Sequence, residues 1–176
     1  RENVVKLARM IGYTPKSARS ARTVCNIAVQ TVFPYPKSVT IAAGLVLNYT
    51  GLDNNNFVFS IPTDISQSVD SLTGIASFNN ITLFEGLYLT DTFVKDTSQR
   101  QRFILTNDRV DTSSMIVQVT SGTITEKYLQ AADITKITSD SKVFFLEESE
   151  YQIPEILFGD GVIGRSLLNG DVVTVK

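Results

Sequence analysis

The sequence predicts a mainly β fold, an antiparallel β-sandwich or barrel-like domain led by one short N-terminal amphipathic α-helix, and three observations predict it. Thr, Ser, Val and Ile are plentiful and Ala-Leu-Glu-Lys stretches are few, which is the bias of strands. Short apolar or alternating runs recur at close spacing, with Gly44, Gly51, Gly74, Gly86 and Gly122 between them. Apolar residues at helical spacing stand out only at the front. With 176 residues, 43% of them apolar and 19% charged, the chain is long enough to bury a proper core and too apolar to be disordered.

The helix comes first. Val4, Leu7, Ala8 and Ile11 fall on one face and Glu2, Lys6 and Arg9 on the other, with Gly12 as a stop signal and Pro15 just beyond. Residues 1–20 are therefore expected as a helix and lead-in loop, the end of a preceding helical region, and residues 21–176 as a β-rich domain. Arg1 in place of Met, and a strand-like run closing at Lys176, read as an excerpt of a longer protein. Residues 22–30 form the first expected strand, ended by Pro34-Tyr35-Pro36. Further strands are expected at 38–41, 45–49, 57–61, 75–83, 87–93, 102–106, 115–120, 143–146 and 155–158. No internal repeat of 20 to 50 residues is visible.

The close of the chain carries a motif that invites a different reading. Phe158-Gly159-Asp160-Gly161-Val162-Ile163-Gly164 has the G-x-G-x-x-G spacing of a dinucleotide fingerprint. That chemistry needs a helix after the glycines, whose free N–H groups hold the pyrophosphate. Here Arg165-Ser166-Leu167-Leu168 runs straight into Asn169-Gly170, a turn dipeptide, and six residues remain. The preferred reading makes Asp160-Gly161 and Asn169-Gly170 two hairpin turns of type I′ that bracket a strand at 162–168 and precede another at 171–175. Gly159, Asp160, Gly161, Gly164, Asn169 and Gly170 are then structural turn positions, and no cofactor is expected.

Catalytic signals are sparse. The chain has no histidine, the commonest general base and metal ligand. It has no G-x-S-x-G elbow, since Gly164-Arg165-Ser166 lacks the closing glycine, and no phosphate-binding G-x-x-x-x-G-K-[ST] loop. Cys25 is alone; it is expected to be a buried, inert hydrophobe enclosed on both faces, and reduced cytosolic assembly is the easier reading. Glu147, Glu148, Glu150 and Glu155 near Asp160 could supply the paired acids of a glycosidase, but a solvated strand end is preferred. Neither Asp53-Asn54-Asn55-Asn56 nor Asn107-Asp108 has the calcium-loop pattern. The expectation is a protein that is not an enzyme, with no metal and no small-molecule substrate.

Charge is uneven. Arg1, Lys6, Arg9, Lys16, Arg19 and Arg22 face one acid, Glu2, so the first 22 residues carry plus five, and the ten bases and seventeen acids that follow leave minus seven. This reads either as a basic arm that meets an acidic surface or as solvated charge, and the second is preferred. Nucleic acid is not an expected partner, because the whole chain is at minus two and no aromatics interleave with the bases. Nor is a membrane, because no apolar run approaches the roughly 20 residues of a helical span.

Three stretches taken in order resemble the baseplate wedge, or baseplate J-like, proteins of contractile-tailed bacteriophages. Leu7-Ala8-Arg9-Met10-Ile11-Gly12-Tyr13-Thr14-Pro15-Lys16-Ser17-Ala18 is similar to that family's helix and lead-in to the first strand. The run from Phe103-Ile104-Leu105 through Val110-Asp111-Thr112-Ser113-Ser114 to Val117-Gln118-Val119 resembles its second stretch. Ile156-Leu157-Phe158-Gly159-Asp160-Gly161-Val162-Ile163-Gly164, followed by Leu168-Asn169-Gly170-Asp171-Val172-Val173, resembles its close. Residues 45–61, with Asn54-Asn55-Asn56, match no element of the family.

The resemblance implies a structural protein of the virion tail baseplate, assembled in the host cytoplasm. It would join copies of itself and other wedge proteins into the ring around the tail hub and assist sheath triggering. The apolar stripe of a helix too short to stand alone in water needs a cover. Val4, Leu7, Ala8, Ile11, Tyr13, Arg19 and Arg22 are accordingly the candidate interface. The alternative is a carbohydrate- or receptor-binding β-sandwich module, for which Tyr35, Tyr49, Tyr88, Tyr128 and Tyr151 grouped on one face would speak.

Overall fold

The computed structural model describes Leu7 and residues 17–51, 53–98, 101–149 and 153–176. The expected helix and the candidate interface residues Val4, Ala8, Ile11 and Tyr13 lie outside the described residues. The described chain is mainly β. It divides into two compact units: a central one, Ser20–Leu89, and a terminal one made of Arg1–Arg19 with Thr90–Lys176. No change of composition marks the division at residue 89.

The central unit holds β1 (Arg22–Gln30), β2 (Ser38–Ile41), β3 (Val46–Thr50), β4 (Asn56–Ser60), β5 (Ile65–Ser68) and β6 (Ile75–Glu85). A four-stranded sheet runs in the order β1-β6-β4-β3, and β2 pairs with β5 in a second sheet. All of these pairings are antiparallel. β1 alternates strictly, with Cys25, Ile27 and Val29 toward the core and Val24, Asn26 and Ala28 outward. Cys25 is thus half-buried on one face of an edge strand, not enclosed on both; period-two patterning is the mark of a half-covered sheet.

On β6 the buried positions change parity, from Ala76 and Phe78 to Ile81 and Leu83. The extra residue lies at Asn79-Asn80, where Asn80 takes φ +56° and donates its N–H to Asn26 Oδ1 at 2.8 Å. A bulge of this kind lets both halves of a long strand face one core. Ile41 and Ile61 from the other strands and connections complete that core.

The terminal unit holds β7 (Asp91–Val94), β8 (Phe103–Ile104), β9 (Val117–Ser121), β10 (Ile124–Gln130), β11 (Val143–Glu148), β12 (Pro154–Phe158) and β13 (Val172–Val175). They form one curled, nearly closed sheet in the order β7-β13-β9-β10-β11-β12-β8. Only β10 and β11 run parallel. Inward positions alternate, so that Val117, Val119, Tyr128, Phe144, Ile156, Val173 and Val175 share one core with Phe103, Leu105 and Leu167. The Phe103 ring meets Phe93 and Phe158 edge-on, and Phe158 meets Tyr128, at 5.3–5.6 Å between centroids.

Three elements differ from expectation at the close of the chain. Asp160-Gly161 is not a type I′ hairpin tip, since Gly161 alone of the two takes positive φ and no strand follows it. Residues 162–168 are not a strand: the segment bonds back on itself, and its one β-bridge runs from Ser166 to Gly159, just past β12. Asn169-Gly170 is a turn closed by the Asp171 N–H on the Leu168 carbonyl at 3.1 Å, with positive φ at Gly170 alone, the pattern of type II rather than type I′.

Candidate interaction surface

Ser17 of the first stretch and the second and third stretches come together in the terminal unit. Ser17 Oγ lies 2.8 Å from Thr112 Oγ1 and accepts the Thr112 N–H at 3.1 Å, which ties the lead-in to the second stretch. Asp111 caps the single 3-10 turn Thr112–Ser114 by accepting from the Ser113 N–H at 2.9 Å. Phe103 of the second stretch pairs with Ile156 of the third, and Val119 with Val173. Residues 45–61, which fit none of the three, contain the paired strands β3 and β4 of the central unit.

Of the candidate interface residues described, Leu7 is exposed and Arg19 is exposed in the terminal unit. Arg22 belongs to the central unit, where its guanidinium stands 4.6 Å over the Phe84 ring. Leu7 and Arg19 thus belong to the terminal unit and Arg22 to the central one.

The glycine loop is filled by its own chain. Gly161 N–H donates to the Gly164 carbonyl (3.0 Å), Gly164 N–H to the Thr138 carbonyl (3.1 Å) and Arg165 N–H to the Ser141 carbonyl (2.9 Å). Val162 and Ile163 N–H donate to Asp160 Oδ1 at 2.9 and 3.0 Å. Five successive amides are thereby committed, and these two bonds, the Ile163 one first, hold the Asp160 carboxyl below the usual carboxylate range. A phosphate would have to displace an acid that already sits on those amides, and no helix follows.

Of the carboxylates read as a possible glycosidase pair, Glu155 is engaged by a cation. Glu147 and Glu155 are directly opposite on β11 and β12, which puts their β-carbons about 5 Å apart. A retaining glycosidase needs the two carboxyl groups themselves about 5 to 5.5 Å apart and open to the sugar. Glu155, however, is buried, and both its oxygens bind Arg102, through Nε at 2.7 Å and through Nη2. Neither oxygen is presented to a sugar ring. Glu148 is half-buried, and Glu150 lies outside the described residues. No group of three His, Cys, Asp or Glu among the described residues is placed to hold a metal.

One charged cluster has no local signal in the sequence. Glu126 on β10 receives Lys142 Nζ at 2.6 Å and Arg165 Nη1 at 2.8 Å. The Lys142 hydrogen bond, more than the nearby charges, holds its carboxyl below the usual range. Its three residues meet because β10 and β11 run parallel and the glycine loop folds over their end. Burial pushes the hydroxyl of Tyr128, two residues along, upward. Ser121 Oγ and the Leu168 N–H both donate to Asp171, at 2.6 and 2.8 Å.

The tyrosines are scattered. Tyr128 is in the terminal core, Tyr35 packs where a β-carbon on Gly74 would be, and Tyr88 packs against Gly44. Tyr49 is exposed and stacks on Phe57 at 6.3 Å. Tyr151 lies outside the described residues. Sugar-binding platforms need several rings on one face, and these rings mostly seat glycines. No helix among the described residues is long and apolar enough to cross a membrane.

Compared with known proteins, the chain matches no protein-family model and no curated protein.

Proposed function

We propose that this chain is a structural component of a contractile phage tail baseplate, whose work is protein–protein contact with other wedge proteins and with copies of itself in the ring around the tail hub. In this reading it assembles in the host cytoplasm, joins the virion, assists sheath triggering, catalyses nothing and carries no cofactor. One observation carries the reading: the second and third stretches that resemble the family, far apart in sequence, pair through Phe103–Ile156 and Val119–Val173, and Ser17 at the end of the first bonds to Thr112 of the second. A motif set that packs together is more specific than any of its short members. The positioned carboxylates, committed to cations and amides, fit a scaffold.

The test is solution mass, with and without neighbouring baseplate proteins, for the unmodified chain and for a Leu7→Asp, Ile11→Asp variant. The reading expects the unmodified chain to enter a complex and the variant to lose it with an unchanged circular dichroism spectrum. Normal assembly of the variant removes the amphipathic stripe as an interface. An unmodified chain that binds no baseplate protein overturns the function.

A further inference from the structure

Asn169-Gly170 is the only Asn-Gly pair in the chain, and Asn169 is exposed. The turn needs a glycine there for its backbone alone: Gly170 takes φ +84°, and a β-carbon on it would meet nothing within 4 Å. The same missing side chain leaves the Gly170 amide nitrogen unshielded beside the Asn169 side chain. That makes Asn-Gly the most labile of asparagine sequences, within a residue type that is labile in general. The chemistry is intramolecular. The Gly170 nitrogen attacks the side-chain carbonyl carbon of Asn169, its proton passes to the departing amide, ammonia leaves and a succinimide ring forms. Water then opens one or other carbonyl of the ring, giving aspartate or an isoaspartate whose side-chain carbon has entered the backbone.

In the folded chain both reacting groups are engaged elsewhere. The Gly170 N–H donates to the Lys95 carbonyl at 2.8 Å, which keeps the proton on the nitrogen. Asn169 Oδ1 accepts the Thr97 N–H at 3.1 Å and the Thr97 hydroxyl at 3.4 Å, which fixes the side chain on the segment after β7. The turn that carries the pair is pinned from its other side by Asp171. The Asp171 carbonyl accepts the Lys95 N–H at 2.7 Å, and its carboxylate accepts the Ser121 hydroxyl at 2.6 Å and the Leu168 N–H at 2.8 Å. We propose that Asn169 is a deamidation site that these bonds hold closed, and that it reacts when the turn at 168–171 lifts off Lys95 and Thr97. The two products then part ways. Aspartate still offers an oxygen to the Thr97 donors, so the turn closes again. Isoaspartate lengthens the backbone between residues 169 and 170, which carries the Gly170 N–H and Asp171 out of register with Lys95, Leu168 and Ser121. A passing opening is thereby made permanent. The site does not rest on the baseplate reading: it needs only the turn and its partners, all within the terminal unit.

The test follows the mass gain of the amide-to-acid exchange, residue by residue, in digests of the full chain kept at mildly alkaline pH either folded or in urea. In urea Asn169 should be the first asparagine converted. In the folded chain its conversion should be at least about tenfold slower, because the population of the open turn then sets the rate. Ser121→Ala removes one pin and leaves the Asn-Gly pair untouched; it should speed conversion in the folded chain at least about threefold, with the rate in urea and the circular dichroism spectrum unchanged. Asn169→Asp should unfold at the urea midpoint of the unmodified chain, and the isoaspartate form, separated by chromatography, at a lower one. Equal rates folded and in urea, another asparagine leading in urea, no acceleration by Ser121→Ala, or an isoaspartate form as stable as Asn169→Asp overturns the proposal.

Discussion

Gly159 and Gly164 meet backbone to backbone, so closely that a β-carbon on Gly159 would lie 2.2 Å from the Gly164 carbonyl carbon. The fingerprint spacing is the footprint of that contact. The three glycines let a loop close on itself at the end of β12, with positive φ at Gly161 and Gly164.

The three positions are therefore unequal. Gly159→Ala forces one backbone off another and should cost about 3 kcal/mol or more in urea unfolding, at the upper end for overpacking. Gly164→Ala combines φ +86° with a contact 3.1 Å from Val143 Cγ2 and should fall next. Gly161→Val would place its β-carbon in ordinary contact with Ser166, at 3.7 Å, but is held at φ +92°, for about 1 to 3 kcal/mol. None of the three should alter nucleotide affinity, because the chain is expected to have none; saturable micromolar binding of NAD or ATP would refute that.

Cys25 faces the core from a half-covered strand, whereas Val24 beside it faces out. A thiol reagent should label native Cys25 slowly and a Val24→Cys thiol, in a Cys25→Ala background, at least about tenfold faster, in proportion to access. Equal rates would place β1 in different surroundings. The expectation of full enclosure came from reading the alternation of residues 24–29 as loose, when the outward Val24 and Ala28 are simply apolar residues on a wet face.

Where local pattern decides, the strands were legible: residues 22–30 and 38–41 are β1 and β2 with no change of bounds. The misses share a cause. β5 has one apolar residue in four and β10 carries Glu126 and Lys127, so each is a strand because a neighbour pairs with it. The 162–168 segment erred the other way: its apolar residues suited a strand, but Asp160 and the carbonyls of Thr138 and Ser141 hold its amides. Ser17–Thr112 and the Glu126 cluster join residues far apart in sequence, which one-dimensional patterning does not register. The division at residue 89 is invisible for the same reason.

Stability against pH should be flat through neutrality, since no histidine is present. Asp70, Asp96, Asp133, Asp160 and Glu126 are all held below their ordinary range, the first by the Leu72 and Thr73 amides, the second and third by hydroxyl and amide donors just after them. A depressed folded-state pKa contributes stability above the unfolded value and loses it as pH falls, so the urea midpoint should drop below about pH 4.5. Burial raises Tyr128, with the opposite sign, so stability should also fall above about pH 10. Glu126→Gln should flatten the acid limb. A midpoint that changes between pH 6 and 8 contradicts the assignment.

The last prediction concerns how the curled sheet closes. β7 and β8 end the seven-stranded order, and no ladder joins them. Side chains bridge the gap instead. Asp91 on β7 accepts the Thr106 N–H at 2.9 Å and its hydroxyl at 2.8 Å, two residues beyond β8. Gln101 donates to the Val94 carbonyl at 2.6 Å and accepts the Asp96 N–H at 2.9 Å. Asp91→Ala should cost about 1 to 3 kcal/mol and Gln101→Ala about 1 kcal/mol, the ordinary cost of stranding such groups. If the two act as one seam, opening either frees the other, and the double variant should cost less than the two separately by at least about 0.5 kcal/mol. Amide exchange should then rise at Thr106 and along β7 while the Val117–Val173 side of the sheet stays protected. Strict additivity, with exchange confined to each mutated site, would mean that the sheet holds its curl through core packing alone.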